Sequence, residues 1–190
     1  MRLWTIQTKA VFNTLQETGT YICNPDLSIC LTELDFYIPY NWLCNQMKKR
    51  IGKRPANIKY PVWAWHTLYG RHSKPDLRWT EFRHLESDSV CMEIEIPDGQ
   101  VLLSNEEDWH YVLNDWFNTK YKSELTFEQA EEWFQKLSDH QKRIEKEKSW
   151  EYIFDVKDCP FIQATFWELK KENIVNIRYI RHRKNTSHHC

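Results

Sequence analysis

The sequence lacks most of the short signatures from which an activity is usually read. No pair among its six cysteines (Cys23, Cys30, Cys44, Cys91, Cys159 and Cys190) has CxxC spacing, which argues against a zinc ribbon or a thioredoxin-like site. GxGxxG and the P-loop pattern are absent, so neither a Rossmann nor a P-loop nucleotide site is expected. There is no GxSxG elbow and no HExxH, and His110 has no histidine one turn further on; serine hydrolysis and zinc hydrolysis have no support, and no metal is expected. The terminal "SHHC" reads as a frayed tail, with metal binding as the alternative. No apolar run approaches the roughly 18 residues that suggest a membrane span. The opening "MRLWTIQTKAVF" turns polar after Trp4, so no signal peptide is expected. Reduced, mostly buried thiols in a cytoplasm are the simplest reading. The formal net charge is -1, with both signs spread along the chain. That excludes a surface that is one large nucleic-acid or membrane patch, and leaves local patches open.

Aromatic residues are abundant. Ten tryptophans and 15% aromatics are an unusual content. Some of these rings are core; the excess would suit a pocket with stacking walls, and packing alone is the alternative.

Periodicity divides the chain into short elements. "RLWTIQ" alternates as a strand; Thr8 caps a helix over "KAVFNTLQET", Gly19 stops it, and "TYIC" reads as a second strand. Residues 24–34 read as irregular. Pro39 opens a helix through "YNWLCNQMKKRIG", "VWAWH" is a strand, and "YGRHSKPDLRWTEFRHLESD" is a long polar connection. "VCMEIEIP" is the cleanest strand, with Val90, Met92, Ile94 and Ile96 facing in and Cys91, Glu93 and Glu95 on the other face. "QVLLS" is a further strand. "NEEDWHYVLNDWF" reads as a helix capped by Ser104 or Asn105, with Trp109, Val112, Leu113 and Trp116 inward. A capping box, Thr126 with Gln129, opens one long helix over 126–149. "WEYIFDV", "FIQATFWEL" and "VNIRYI" read as strands, the last two as a closing hairpin joined through "KKEN". The expected architecture is α+β: a single compact domain over 1–184, a mixed or antiparallel sheet with inserted helices, and a flexible tail at 185–190.

The opening strand–helix–glycine–strand resembles the start of the ADP-ribosyltransferase fold, in its DNA-targeting toxin branch, and "IQATFWELKKENIVNI" resembles that fold's last strand pair. More of the chain is similar to the bacterial family of domain of unknown function DUF3841, through "LWTIQ", "YPVWAW", "KPDLR", "VLLSNEEDWHYVLN" and "IQATFWEL". That family carries no established chemistry. The transferase resemblance implies NAD as a substrate. A carboxylate would stabilise the oxocarbenium character that develops as the glycosidic bond breaks.

On the transferase resemblance, Thr5 and Gln7 contact NAD, Tyr21 stacks the nicotinamide, and Trp65 with His66 walls the pocket. Glu168 is the candidate carboxylate, with Gln163 or Thr165 near the acceptor. The best match to the transferase fold's glutamate falls on Thr165 rather than Glu168; in that register the carboxylate is missing and the protein is a binder or a degenerate relative. Each residue also has an ordinary role. Glu168 can rim a strand, Gln163 can bond a neighbouring backbone, Thr5 and Gln7 can be exposed strand polars, and Trp65 can be core. Arg78, with Asp76 in "KPDLR", either clamps phosphate or pairs with its neighbour.

Two basic clusters stand out in a neutral chain: Lys48, Lys49, Arg50, Lys53 and Arg54, and then Arg178, Arg181, His182, Arg183 and Lys184. Such groups contact nucleic-acid backbones, and they also serve as ordinary solubility charge. Three functions follow as expectations. One is an NAD-dependent transferase acting on a nucleic acid or protein. Another is a non-enzymatic module that binds nucleic acid or a nucleotide in an aromatic pocket. The third is an interaction protein of phage defence or counter-defence.

Overall fold

In the computed structural model the chain is described over residues 1–82 and 89–180. Arg181, Arg183 and the tail at 185–190 lie outside the described residues, as does part of the long polar connection.

The first unit forms as its residues dictate. Strand β1 (Arg2–Thr8) runs into helix α1 (Lys9–Thr18), whose cap Thr8 accepts a hydrogen bond from the Val11 N–H. Gly19 ends the helix at φ 79°, and its N–H donates to the Leu15 carbonyl; a side chain would be strained in that left-handed conformation. The next strand, β2, is only Thr20–Tyr21. Residues 24–34 contain a 3-10 turn at Pro25–Leu27 and the short helix α2 (Ile29–Thr32). Helix α3 (Tyr37–Arg50) starts two residues before Pro39, which sits in the first turn where a missing N–H costs nothing. Strands β3 (Val62–Thr67), β4 (Ser89–Glu95) and β5 (Leu102–Asn105) follow, then helix α4 (Glu106–Leu113), capped by Asn105. Helices α5 (Phe127–Gln135) and α6 (Asp139–Trp150) precede strands β6 (Ile162–Phe166), β7 (Leu169–Lys170) and β8 (Ile174–Tyr179).

Six strands form one sheet in the order β5-β6-β3-β1-β4-β8, antiparallel at every pair. The fold is a single compact α+β domain. One face carries Leu3, Val62, Ala64, Val90, Met92, Ile94, Ala164 and Phe166 against Phe12 and Leu15 of α1. On the other face, Trp63 and Leu102 lie under Tyr40, Leu43 and Met47 of α3, Trp109 and Val112 of α4, and Trp150 of α6.

Four sequence expectations are corrected. The closing hairpin does not exist: β6 and β8 are separated by β3, β1 and β4. After β6 the chain leaves the sheet as β7, pairs with β2 and bonds Lys171 N–H to the Gly19 carbonyl, and so crosses to the far edge. The helix expected over 126–149 is two helices. Ser138 makes a second capping box with Gln141, which starts α6 afresh. "WEYIFDV" is a 3-10 turn at Glu151–Phe154, because Trp150 and Ile153, both buried, continue a helical rather than an alternating period. Trp116 points outward: α4 ends at Leu113, Asp115 takes φ 56°, and the reversal leaves Trp116 60% exposed. Cys91 lies on the face opposite Val90 and Met92, as the alternation of β4 predicts, and is buried there beneath Arg178, which donates to its sulfur.

Candidate functional site

The pairing register lines up one side chain from each strand across the sheet. Ser104 (β5) is opposite Gln163 (β6), Gln163 opposite Trp65 (β3), Trp65 opposite Trp4 (β1), Trp4 opposite Glu93 (β4), and Glu93 opposite Asn176 (β8). Directly opposed residues share a face, so these six form one row. Three buried polar atoms in it, Ser104 Oγ, Gln163 Oε1 and Trp4 Nε1, have no hydrogen-bond partner among the described residues. Buried polar groups are normally satisfied, and an orphan in a native fold calls for a reason. Here three strands supply three orphans in one line.

Beyond Trp65 along β3 the row has an aromatic border. Tyr69 and Gly70, at φ 52° and 69°, form a two-residue turn closed by reciprocal bonds between Leu68 and Arg71. Both central residues with positive φ make it the turn that matches strand twist. The turn holds Tyr69 edge-on to Trp79 and Phe161, at 4.8 and 4.9 Å between ring centroids. The pairing of β3 with β6 slips between Trp65 and Thr67, as at a β-bulge, which re-aims a side chain. His66 then stacks on His72 at 3.9 Å, and His72 meets the edge of Trp4 at 5.5 Å.

Burial, then the neighbouring His72 and the chain's amino group, hold the His66 imidazole below its ordinary value of 6.5. The folded state therefore binds fewer protons here than the unfolded chain does. The stability from this site is present above the unfolded value and is lost as pH falls through the lower folded one. We expect the unfolding midpoint to drop between about pH 7.5 and about pH 5, and to drop less in His66→Gln, which has no proton to take up. Thermal scans at the two pH values check this; equal losses in both proteins would remove His66 as the cause.

The other residues singled out from the sequence are dispersed. Thr165 shares the Gln163 face, but its hydroxyl is buried and donates to the Leu102 carbonyl at 3.3 Å. Thr5 and Gln7 face the α1 side. The Thr5 hydroxyl, wholly buried, donates to the Trp63 carbonyl at 2.8 Å and accepts from Gln7 Nε2 at 2.9 Å. Tyr21 pairs with Leu169 and packs on the α1-side core, where burial pushes its phenol up. Glu168 lies between β6 and β7, ion-paired with Lys170 at 3.4 Å on a depression of about 130 Å³. Arg78 grips Asp76 with two nitrogens, at 2.9 and 2.6 Å, and holds that carboxyl down to about 2.

Lys49 and Arg50 end α3; Arg50 lies over the Phe154 ring at 4.2 Å, and Arg54 donates to the Lys59 carbonyl. Arg178 is committed to the Pro75 carbonyl and Cys91. It belongs to edge strand β8, whereas α3 covers the half of the sheet containing β3 and β5.

Sequence reading missed Trp4, Ser104, Tyr69 and His72. Their types carry no signal of their own; only the strand register assembles them. Among the described residues no group of three or more His, Cys, Asp or Glu could hold a metal ion, and no helix is long and apolar enough to cross a membrane. The row's own carboxylate, Glu93, is paired with Arg2 at 3.3 Å and stands three strand spacings from Gln163, about 14 Å. Hydrogen-bonding groups and flat rings dominate the row, which suits recognition of a planar polar molecule.

The chain belongs to a family described as a domain of unknown function (DUF3841), whose model matches residues 2–175. No curated protein and no solved structure shows significant similarity to it.

Proposed function

We propose that this member of the family is a nucleotide-binding module with an ADP-ribosyltransferase-like fold, and that NAD is its ligand. The observation that carries the reading is the buried, unpartnered Gln163 Oε1 beside Trp65. An orphan acceptor needs an N–H donor, and a tryptophan face needs a flat ring. Nicotinamide has both, a carboxamide on a planar ring. The placement of the opening strand near the Gln163 strand adds support. The opening strand β1 and the Gln163 strand β6 are separated by β3 alone, so residues about 160 apart in sequence meet in one row.

The reading is one of binding rather than transfer. The Thr165 hydroxyl is spent on a backbone carbonyl, and Glu168 is paired with Lys170 beyond the end of β6. Neither contributes a carboxylate to the row.

Calorimetric titration with NAD tests this in three proteins. The wild type and Glu168→Gln should bind alike. Gln163→Leu should not bind, yet should be no less stable, because it removes a buried acceptor whose desolvation costs about 1–3 kcal/mol. Absence of heat from the wild type at millimolar NAD would sink the reading. Nicotinamide release that Glu168→Gln abolishes would replace binding by catalysis.

A further inference from the structure

A groove of about 610 Å³ shares no residue with the sheet row; it lies between the end of α4 and α5. Its walls follow from two local features. The reversal at Asp115 turns Trp116 outward while Phe117 goes in and stacks on Phe134, at 4.4 Å and 10° between planes. On α5, Phe127, Glu131, Phe134 and Gln135 fall at i, i+4, i+7 and i+8, one helical face, and all four line the groove. Phe127 and Trp116 are each 60% exposed. Two large rings left in water on facing walls are not explained by packing.

The fixed charges that line the groove are acidic, and its one histidine, His110, is paired with Glu106. Its lining includes Asp115 and Glu131 and no lysine or arginine. Asp115 is held by Lys146 at 2.6 Å. Glu131 is partly buried, and among the described residues its side chain has neither a hydrogen bond nor an ion pair. We propose that this groove binds the lysine or arginine side chain of a peptide segment of a partner protein. The cation lies against the faces of Trp116 and Phe127, where ring quadrupoles attract positive charge, and Glu131 takes its N–H groups. A phosphate-bearing ligand meets two carboxylates there, and the one nearby lysine, Lys146, is already paired with Asp115.

The test uses the whole protein and capped alanine pentapeptides with a central arginine, glutamate or alanine, followed by two-dimensional amide and indole NMR. The arginine peptide should shift the Trp116 indole and α5 amide signals saturably, and the other two should not. Glu131→Gln should weaken binding about tenfold, the loss of one charged hydrogen-bond partner. Trp116→Ala, at an exposed position, should weaken it with the rest of the spectrum unchanged. No saturable shift with the arginine peptide, equal shifts with the glutamate peptide, or undiminished binding by Glu131→Gln would each overturn the proposal. NAD should leave these signals in place, so the fate of the NAD reading is scored separately.

Discussion

Phe166→Ala should lower the free energy of unfolding by about 3–5 kcal/mol, the usual cost of deleting a buried aromatic ring. Phe166 is 1% exposed and lies in the core between the sheet and α1. Its strand, β6, is paired on both sides, with β5 and β3. A strand held on both edges cannot shift to close the space, so the cavity persists and its lining loses dispersion contacts. A domain of this kind has a total stability of roughly 5–15 kcal/mol, so the loss is a large share of it. Urea unfolding measures it. Phe127→Ala, which removes the same ring from an exposed site, should change stability by no more than about 0.5 kcal/mol. Similar losses for the two would mean that the Phe166 site collapses or that Phe127 packs more than its exposure shows.

The second large effect concerns a buried charge. Asp108 is held in the first turn of α4 with its side chain 5% exposed; it accepts from Asn105 Nδ2 at 2.9 Å and from Lys120 Nζ at 2.7 and 3.0 Å. Lys120→Met takes away the compensating cation and leaves the carboxylate in place. Breaking a buried pair in this way costs about 3–5 kcal/mol. Lys120 is itself about half exposed, so water reaches that end of the pair and the lower part of the range is expected. The double variant Asp108→Leu/Lys120→Met should regain much of the loss, because no charge is then left buried. A double-mutant cycle in urea measures the coupling; a loss in Lys120→Met that the double variant does not reduce would show that the pair is not what Lys120 contributes.

The two large effects differ in how far they could be read in advance. Phe166 sits in "FIQATFWEL", which is plainly a strand, but alternation alone did not say which strands flank it. The salt bridge to Asp108 was not legible at all. Asp108 looks like an ordinary helix N-terminal acid, and Lys120 is twelve residues away around the turn that Asp115 makes.

What the sequence determined by itself is local. The Thr8 cap, the Gly19 stop, the Thr126–Gln129 capping box and the alternation of β4 are each decided within a few residues, because the hydrogen bonds and side-chain periods involved repeat over a single turn or pleat. The Ser138 box was equally local, yet the charged run after it hid the break in the helix. The tertiary structure decided which strands meet. Nothing local fixes whether β6 pairs with β8 or with β3 and β5. That choice rests on β7 leaving the sheet for β2, and on burying apolar residues of both sheet faces under helices far apart in sequence. The Ser104–Gln163–Trp65–Trp4 row exists only through that choice, since pairing register is a property of two strands together and each strand alone has none.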